Sequence, residues 1–127
     1  MSILIEDYYA AVDSGALEEA VSLLSEDVRF AMVLPSGTNR GSGREAMLDY
    51  LRNRPKVNRK HKLLRVAADE DVLFAHGAVT ENGTTTTGYF VGVMHVDANG
   101  GIDRYQVSFD PEFGLLSDVD TAEGASS

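Results

Sequence analysis

Apolar residues recur along this chain at two different periods, and the change from one to the other divides it. Ile5, Tyr8, Tyr9 and Val12 follow the i, i+3, i+4, i+7 spacing that gathers side chains on one face of a helix. Gly15 supplies a stop, because glycine can turn left-handed without a Cβ clash. Leu17, Ala20, Val21 and Leu24 repeat the helical spacing after a tight corner. From Val28 the period becomes two: Val28, Phe30, Met32 and Leu34 share one face of a strand that Pro35-Ser36-Gly37 breaks. Ser42-Gly43-Arg44-Glu45 reads as a capping box opening a third helix, with Met47, Tyr50 and Leu51 on one face and Pro55 closing it.

The remainder reads as a four-strand antiparallel meander over 60–68, 72–80, 85–96 and 102–109. Asp69-Glu70-Asp71, Glu81-Asn82-Gly83 and Asn99-Gly100-Gly101 are its turns. Helices grouped early and strands grouped late indicate an α+β fold. Along 85–96, Phe90, Gly92 and Met94 alternate with Tyr89, Val91, Val93 and His95. With helices on one face of the sheet, the other still presents apolar side chains, which points to a homodimer through the outer sheet face.

Composition narrows the picture. A chain of 127 residues with 43% apolar content makes one domain with a real core, read here as 1–116. The remaining residues, 117–127, form an acidic tail too poor in apolar groups to fold. The absence of cysteine removes thiolate metal sites and disulfides. With no signal-like N-terminus and no long apolar run, the reading is a cytoplasmic protein without membrane contact. A formal charge of −9 argues against nucleic acid as a partner. Yet seven of the eleven basic residues lie between positions 52 and 65: Arg52, Arg54, Lys56, Arg59, Lys60, Lys62 and Arg65. A binding surface for anions or proteins is one reading of this cluster. A solvated helix end and loop is the preferred one, since no aromatic side chain interleaves it.

Local motifs carry a resemblance over about residues 4–113. Tyr8-Tyr9-Ala10-Ala11-Val12-Asp13-Ser14-Gly15-Ala16-Leu17, Leu24-Ser25-Glu26-Asp27-Val28, Gly41-Ser42-Gly43-Arg44-Glu45-Ala46-Met47, and Asp97-Ala98-Asn99-Gly100-Gly101-Ile102 with Phe109-Asp110-Pro111 are similar to recurrent segments of one superfamily. It holds nuclear transport factor two, ketosteroid isomerase, limonene-epoxide hydrolase and SnoaL-like polyketide cyclases. The resemblance implies a cone: a curved antiparallel sheet wrapped around three helices from the N-terminal half, a cystatin-like α+β barrel open to an apolar ligand. It also implies an inward set whose ligand-binding members are Phe30, Met32, Met47, Tyr50, Phe74, Phe90, Met94 and Val107.

The family's best-known catalytic groups do not carry over. For ketosteroid isomerase, the oxyanion tyrosine falls at Tyr8, but the two acid positions fall near Met32 and at Gly92. For limonene-epoxide hydrolase, the arginine position falls at about Phe74 and the two aspartate positions at about His76 and at Val107. His76 is therefore the expected general acid–base, with Tyr8 as oxyanion donor and Tyr105 orienting the substrate. A core histidine bonded to a backbone carbonyl is the alternative for His76. His61 reads as a surface residue, His95 as an outer-face residue, and Asp110 as a turn former. The histidines lack metal-ligand spacing, so no metal and no cofactor are expected. The functional expectation is a cofactor-free cyclase, isomerase or dehydratase acting on a small apolar or polyketide-like molecule. A non-catalytic binding or dimerisation module of the same fold is the alternative.

Overall fold

The computed structural model describes residues 3–54, 58–83 and 85–116. Its order is α1 (Leu4–Asp13), α2 (Leu17–Ser22), β1 (Leu24–Leu34), β2 (Gly37–Ser42), α3 (Arg44–Arg52), β3 (Lys60–Asp69), β4 (Val72–Glu81), β5 (Thr85–Val96) and β6 (Ile102–Asp110). The strands form one curved, unclosed sheet in the order β2-β1-β6-β5-β4-β3. The expected meander is present as β3–β6. The acidic tail and Pro55 lie outside the described residues.

α1 ends as its glycine requires. Gly15 has φ +84°, and the Gly15 and Ala16 N–H groups donate to the Val12 and Ala11 carbonyls, which closes the helix in a Schellman motif. The apolar stripe of α1 buries Ile5, Tyr8, Tyr9 and Val12. α3 adds Met47 and Leu51. These side chains meet Val28, Phe30 and Met32 of β1, Leu73, Ala75 and Val79 of β4, Phe90 and Met94 of β5, and Ile102 and Tyr105 of β6. The core thus lies between the helices and one face of the sheet. Among the described residues no helix is long and apolar enough to cross a membrane.

Three features depart from the pattern along the chain. The sheet is mixed, not antiparallel, because β1 and β6 pair in parallel, Phe30 opposite Tyr105 and Met32 opposite Val107. That pairing also shortens α2: Leu24 leaves the helical stripe and starts β1, and the Ile102 N–H bonds the Leu23 carbonyl at 3.0 Å. The second departure is β2, which has no apolar alternation and exists because Pro35-Ser36 turns it back on β1, Leu34 opposite Gly37. A Cβ at Gly41 would stand 2.5 Å from the Phe30 ring, so glycine lets the hairpin close over that ring. Third, the capping box does not form. Gly43, at φ +96°, takes the N-cap position of α3 without a side-chain bond, and its N–H completes the hairpin on the Val28 carbonyl at 2.7 Å.

The turns behave as their residues demand. Asn82 and Gly83 both have positive φ, at +55° and +91°. Asp110 Oδ1 accepts the Glu112 and Phe113 N–H groups, a turn role that holds its carboxyl below the usual range. On the outer face, exposed His95 bridges two carboxylates: Nδ1 to Asp103 at 2.5 Å and Nε2 to Asp71 at 2.8 Å.

The hydrogen bond to Asp103 first, and that to Asp71 next, raise the pKa of His95 above its ordinary value. A raised folded value means its stabilisation is complete below the ordinary histidine pKa of about 6.5 and is lost as pH climbs through the folded one. Urea midpoints measured from pH 5.5 to 8.5 should therefore decline more steeply for the native chain than for His95→Gln. Equal slopes would remove the clamp from the account of stability.

Candidate functional site

At the open end of the cone lies a cavity of about 720 Å³, within the range of small-molecule sites of roughly 300–1,000 Å³. Residues from α1, β1, the end of α3 and β3–β6 line it. The expected site residues divide among three places. Tyr8, Tyr105, Met32, Tyr50, Phe90 and Val107 line the cavity. Phe30, Met47 and Met94 are buried in the core and take no part in the lining.

Phe74 and His76 lie on the opposite face of the sheet, which corrects the expectation for both. On β4 it is Leu73, Ala75 and Val79 that enter the core, while Phe74 is 40% exposed. His76 is buried, but under the chain that follows β6. Its Nδ1 lies 3.0 Å from the Phe90 carbonyl and its Nε2 accepts the Leu116 N–H at 3.2 Å. A carbonyl can only accept, so Nδ1 carries the proton and both ring nitrogens are spent. The misplacement has a simple cause. Val72-Leu73-Phe74-Ala75-His76-Gly77-Ala78-Val79 carries apolar groups at both parities, and a slip of one residue flips every side chain.

A different histidine reaches the cavity. His61, expected at the surface, sits at the start of β3 with its side chain only 12% exposed. Asp13, in the last turn of α1, clamps it twice: Oδ1 takes Nδ1 at 2.6 Å and Oδ2 takes the His61 backbone N–H at 2.7 Å. As a carboxylate Asp13 only accepts, so Nδ1 bears a proton, and in the neutral imidazole Nε2 then carries the lone pair. Nε2 has no partner among the described residues, and the ring lines the cavity. The Tyr9 ring lies against the imidazole at 4.7 Å between centroids, tilted by 33°, and Phe90 meets it edge-on at 5.2 Å.

Tyr9 and Tyr105 form the second polar element. Their hydroxyls approach to 2.5 Å, one donating to the other. Two hydroxyls hold two protons and this bond uses one. The second has no acceptor among the described residues. Burial, above all, pushes both phenols well above the ordinary tyrosine range, and Tyr8 with them. All three therefore keep their protons. Gly92 makes the pair possible, since a Cβ there would stand 2.5 Å from the Tyr9 hydroxyl. Tyr8 packs edge-on against both rings, at 5.5 and 5.4 Å.

His61, Asp13 and Tyr9 were not singled out as site residues by the chain pattern. Asp13 was visible as an acid that ends an apolar helix face one turn beyond Tyr9. His61 was hidden in a basic run, and only strand pairing brings β3 beside α1. Among the described residues no group of three or more His, Cys, Asp or Glu side chains could hold a metal ion.

A cone of three helices in a curved, unclosed sheet with a partly polar cavity at its mouth is the architecture of the nuclear-transport-factor-two-like proteins. The SnoaL-like domain family model matches residues 5–105, and the chain belongs to that family. No curated protein sequence matches it. Among solved structures, an epoxide hydrolase of M. tuberculosis like limonene-epoxide hydrolase superposes with a TM-score of 0.68 at 22% identity, over 84% of this chain and 80% of the other. An NTF2-like protein with a cystatin-like fold from Novosphingobium aromaticivorans gives 0.66 at 20% identity, over 87% and 79%. The epoxide hydrolase/cyclase-like enzyme SalBIII, which acts in pyran ring formation in the polyether salinomycin, gives 0.67 at 18%, over 84% and 88%. At these identities the likeness establishes the fold.

Gly92→Ala should separate the two hydroxyls and cost about 1–3 kcal/mol by overpacking. Denaturant midpoints check the cost, and the Tyr9 and Tyr105 hydroxyl environments can be followed by ultraviolet difference spectra. An unchanged midpoint would mean that Tyr9 does not depend on the space above Gly92.

Proposed function

We propose that this protein is a cofactor-free acid–base enzyme of the isomerase, cyclase or dehydratase kind, acting on a small organic molecule in the cavity. The observation that carries the reading is the His61–Asp13 dyad, whose free Nε2 shares one cavity with a tyrosine pair holding an unused proton. Nε2 takes a proton from carbon beside a carbonyl. The electron pair of that C–H bond moves into the carbonyl, and the oxygen, now an enolate, accepts the spare hydroxyl proton of the Tyr9–Tyr105 pair as a hydrogen bond. The imidazolium then returns its proton to a second carbon, which isomerises the molecule, or to a departing hydroxyl, which dehydrates it. Asp13 fixes the imidazole tautomer and faces the positive charge that forms. The family likeness supports this reading: SnoaL-like relatives include enzymes described as epoxide hydrolases and cyclases.

Deuterium exchange tests this without knowledge of the product. A panel of apolar ketones is incubated with the protein in D2O and the α-protons are followed by NMR. Exchange should be catalysed by the native chain and fall by about 10²–10⁴-fold in His61→Ala. Exchange that persists undiminished in His61→Ala would end the proposal.

The outer face supports a homodimer as the assembled form. Phe74 and Val91, on adjacent strands, are each 40% exposed there. Val91→Lys should convert a species of twice the chain mass to one of single mass in sedimentation analysis. A native chain that stays at single mass at all concentrations would exclude the dimer.

A further inference from the structure

The dyad and the tyrosine pair do not account for the charge around the cavity. Two cations line it, Arg54 just past the end of α3 and Arg59 just before β3. Arg59 is answered, because its Nη2 meets Glu81 Oε2 at 3.2 Å. Asp13 is answered too, by the His61 ring and backbone N–H. Arg54 is not. No side-chain nitrogen of Arg54 makes a hydrogen bond among the described residues, and its Nε is their only buried side-chain nitrogen or oxygen atom without a partner. Of the charged groups at this end of the cavity, Arg59 and Glu81 pair with each other and Asp13 is engaged by His61, which leaves the guanidinium of Arg54 without a hydrogen-bond partner among the described residues.

A guanidinium in that position is costly. Burial is the largest influence lowering the Arg54 pKa, and the nearby Arg59 adds to it, while Tyr8, Tyr50 and Asp13 oppose it. Placing a half-buried cation with idle donors against a cavity makes sense when the cavity's occupant brings the counter-charge. The terminal edge of an arginine presents two parallel N–H groups, which match the two oxygens of a carboxylate, and neither terminal nitrogen of Arg54 is a buried atom without a partner among the described residues. Met32, Leu34, Leu51, Val107 and Phe109 add apolar surface to the cavity lining.

Resting on the reading of this cavity as the substrate site, we infer that its natural substrate is an amphipathic organic acid. Its carboxylate sits on the terminal edge of Arg54, formed by Nη1 and Nη2, and its apolar body lies over β1 and β6. The basic run from 52 to 65 then has a role beyond a solvated surface. Arg52 pairs with Glu18 and Lys60 bonds the Asp13 carbonyl, so both brace the helix ends, while Arg54 and Arg59 turn into the cavity.

The test uses matched pairs that differ only in the head group: 2-naphthoate with 2-naphthamide, and octanoate with octanamide, at pH 7.5, by isothermal titration. The native chain should bind each acid at least about tenfold tighter than its amide, about 1.4 kcal/mol. Arg54→Met should bring the ratio close to one, and Arg54→Lys should keep a reduced preference, with far-UV circular dichroism verifying that both variants fold. Equal binding of acid and amide by the native chain, no binding of either acid, or a preference that survives Arg54→Met would each overturn the inference. The ketone exchange assay keeps this outcome separate from the catalytic reading. His61-dependent exchange without acid preference overturns the carboxylate site alone. Acid preference without exchange supports that site and removes the catalysis.

Discussion

The position of Tyr9 is the constraint on which the rest of this structure depends. Its ring lies against Phe90 and His61, and its hydroxyl bonds Tyr105. One side chain of α1 therefore touches β3, β5 and β6 at once. A large aromatic brings substantial apolar burial and a hydroxyl that needs a partner, so the site that accepts it is defined in both shape and polarity. Gly92 opens the space for the hydroxyl. With α1 so fixed, its last turn delivers Asp13 to the start of β3, and the cavity mouth is what remains between helix and sheet.

The polar groups around that mouth differ in how fully they are used. Asp13 and Glu81 each have partners, and Tyr9 and Tyr105 satisfy one another in part. Among the described residues, His61 Nε2, one proton of the Tyr9–Tyr105 pair, the Tyr8 hydroxyl and the guanidinium of Arg54 have no partner. A lone pair, a neutral donor and a cation are complementary to a molecule that gives up a proton, gathers charge on oxygen and already carries a negative head. Low surrounding polarity strengthens each of these contacts and makes each costly when unmet.

The family resemblance and the site therefore give different information. The positions at which ketosteroid isomerase carries its acids are occupied by Met32 and Gly92, and both have other work, one as apolar wall and the other as clearance for Tyr9. In the proposed reading, the acid–base groups lie instead on α1 and β3. A shared fold can host such a shift because the strands around the mouth offer many inward positions and the chemistry needs only a few.

Much of this architecture was legible along the chain. The helical stripe of α1, the stop at Gly15, the four strands of the meander and the inward alternation of Phe90, Gly92 and Met94 are local patterns, set by the period at which apolar groups recur. What local pattern could not supply is pairing between distant segments. The parallel match of β1 with β6 shortened α2, and a hairpin partner made a strand of the polar run 37–42. On β4, apolar groups at both parities left the inward face undetermined, and only the packing of small Ala75 and Gly77 beneath the aromatic core chose it, turning His76 outward. His61 became a cavity residue through a carboxylate 48 positions earlier in the chain. Periodicity encodes which face of an element is apolar; which polar side chains meet is decided by contacts far apart in sequence, which form only when the whole core closes.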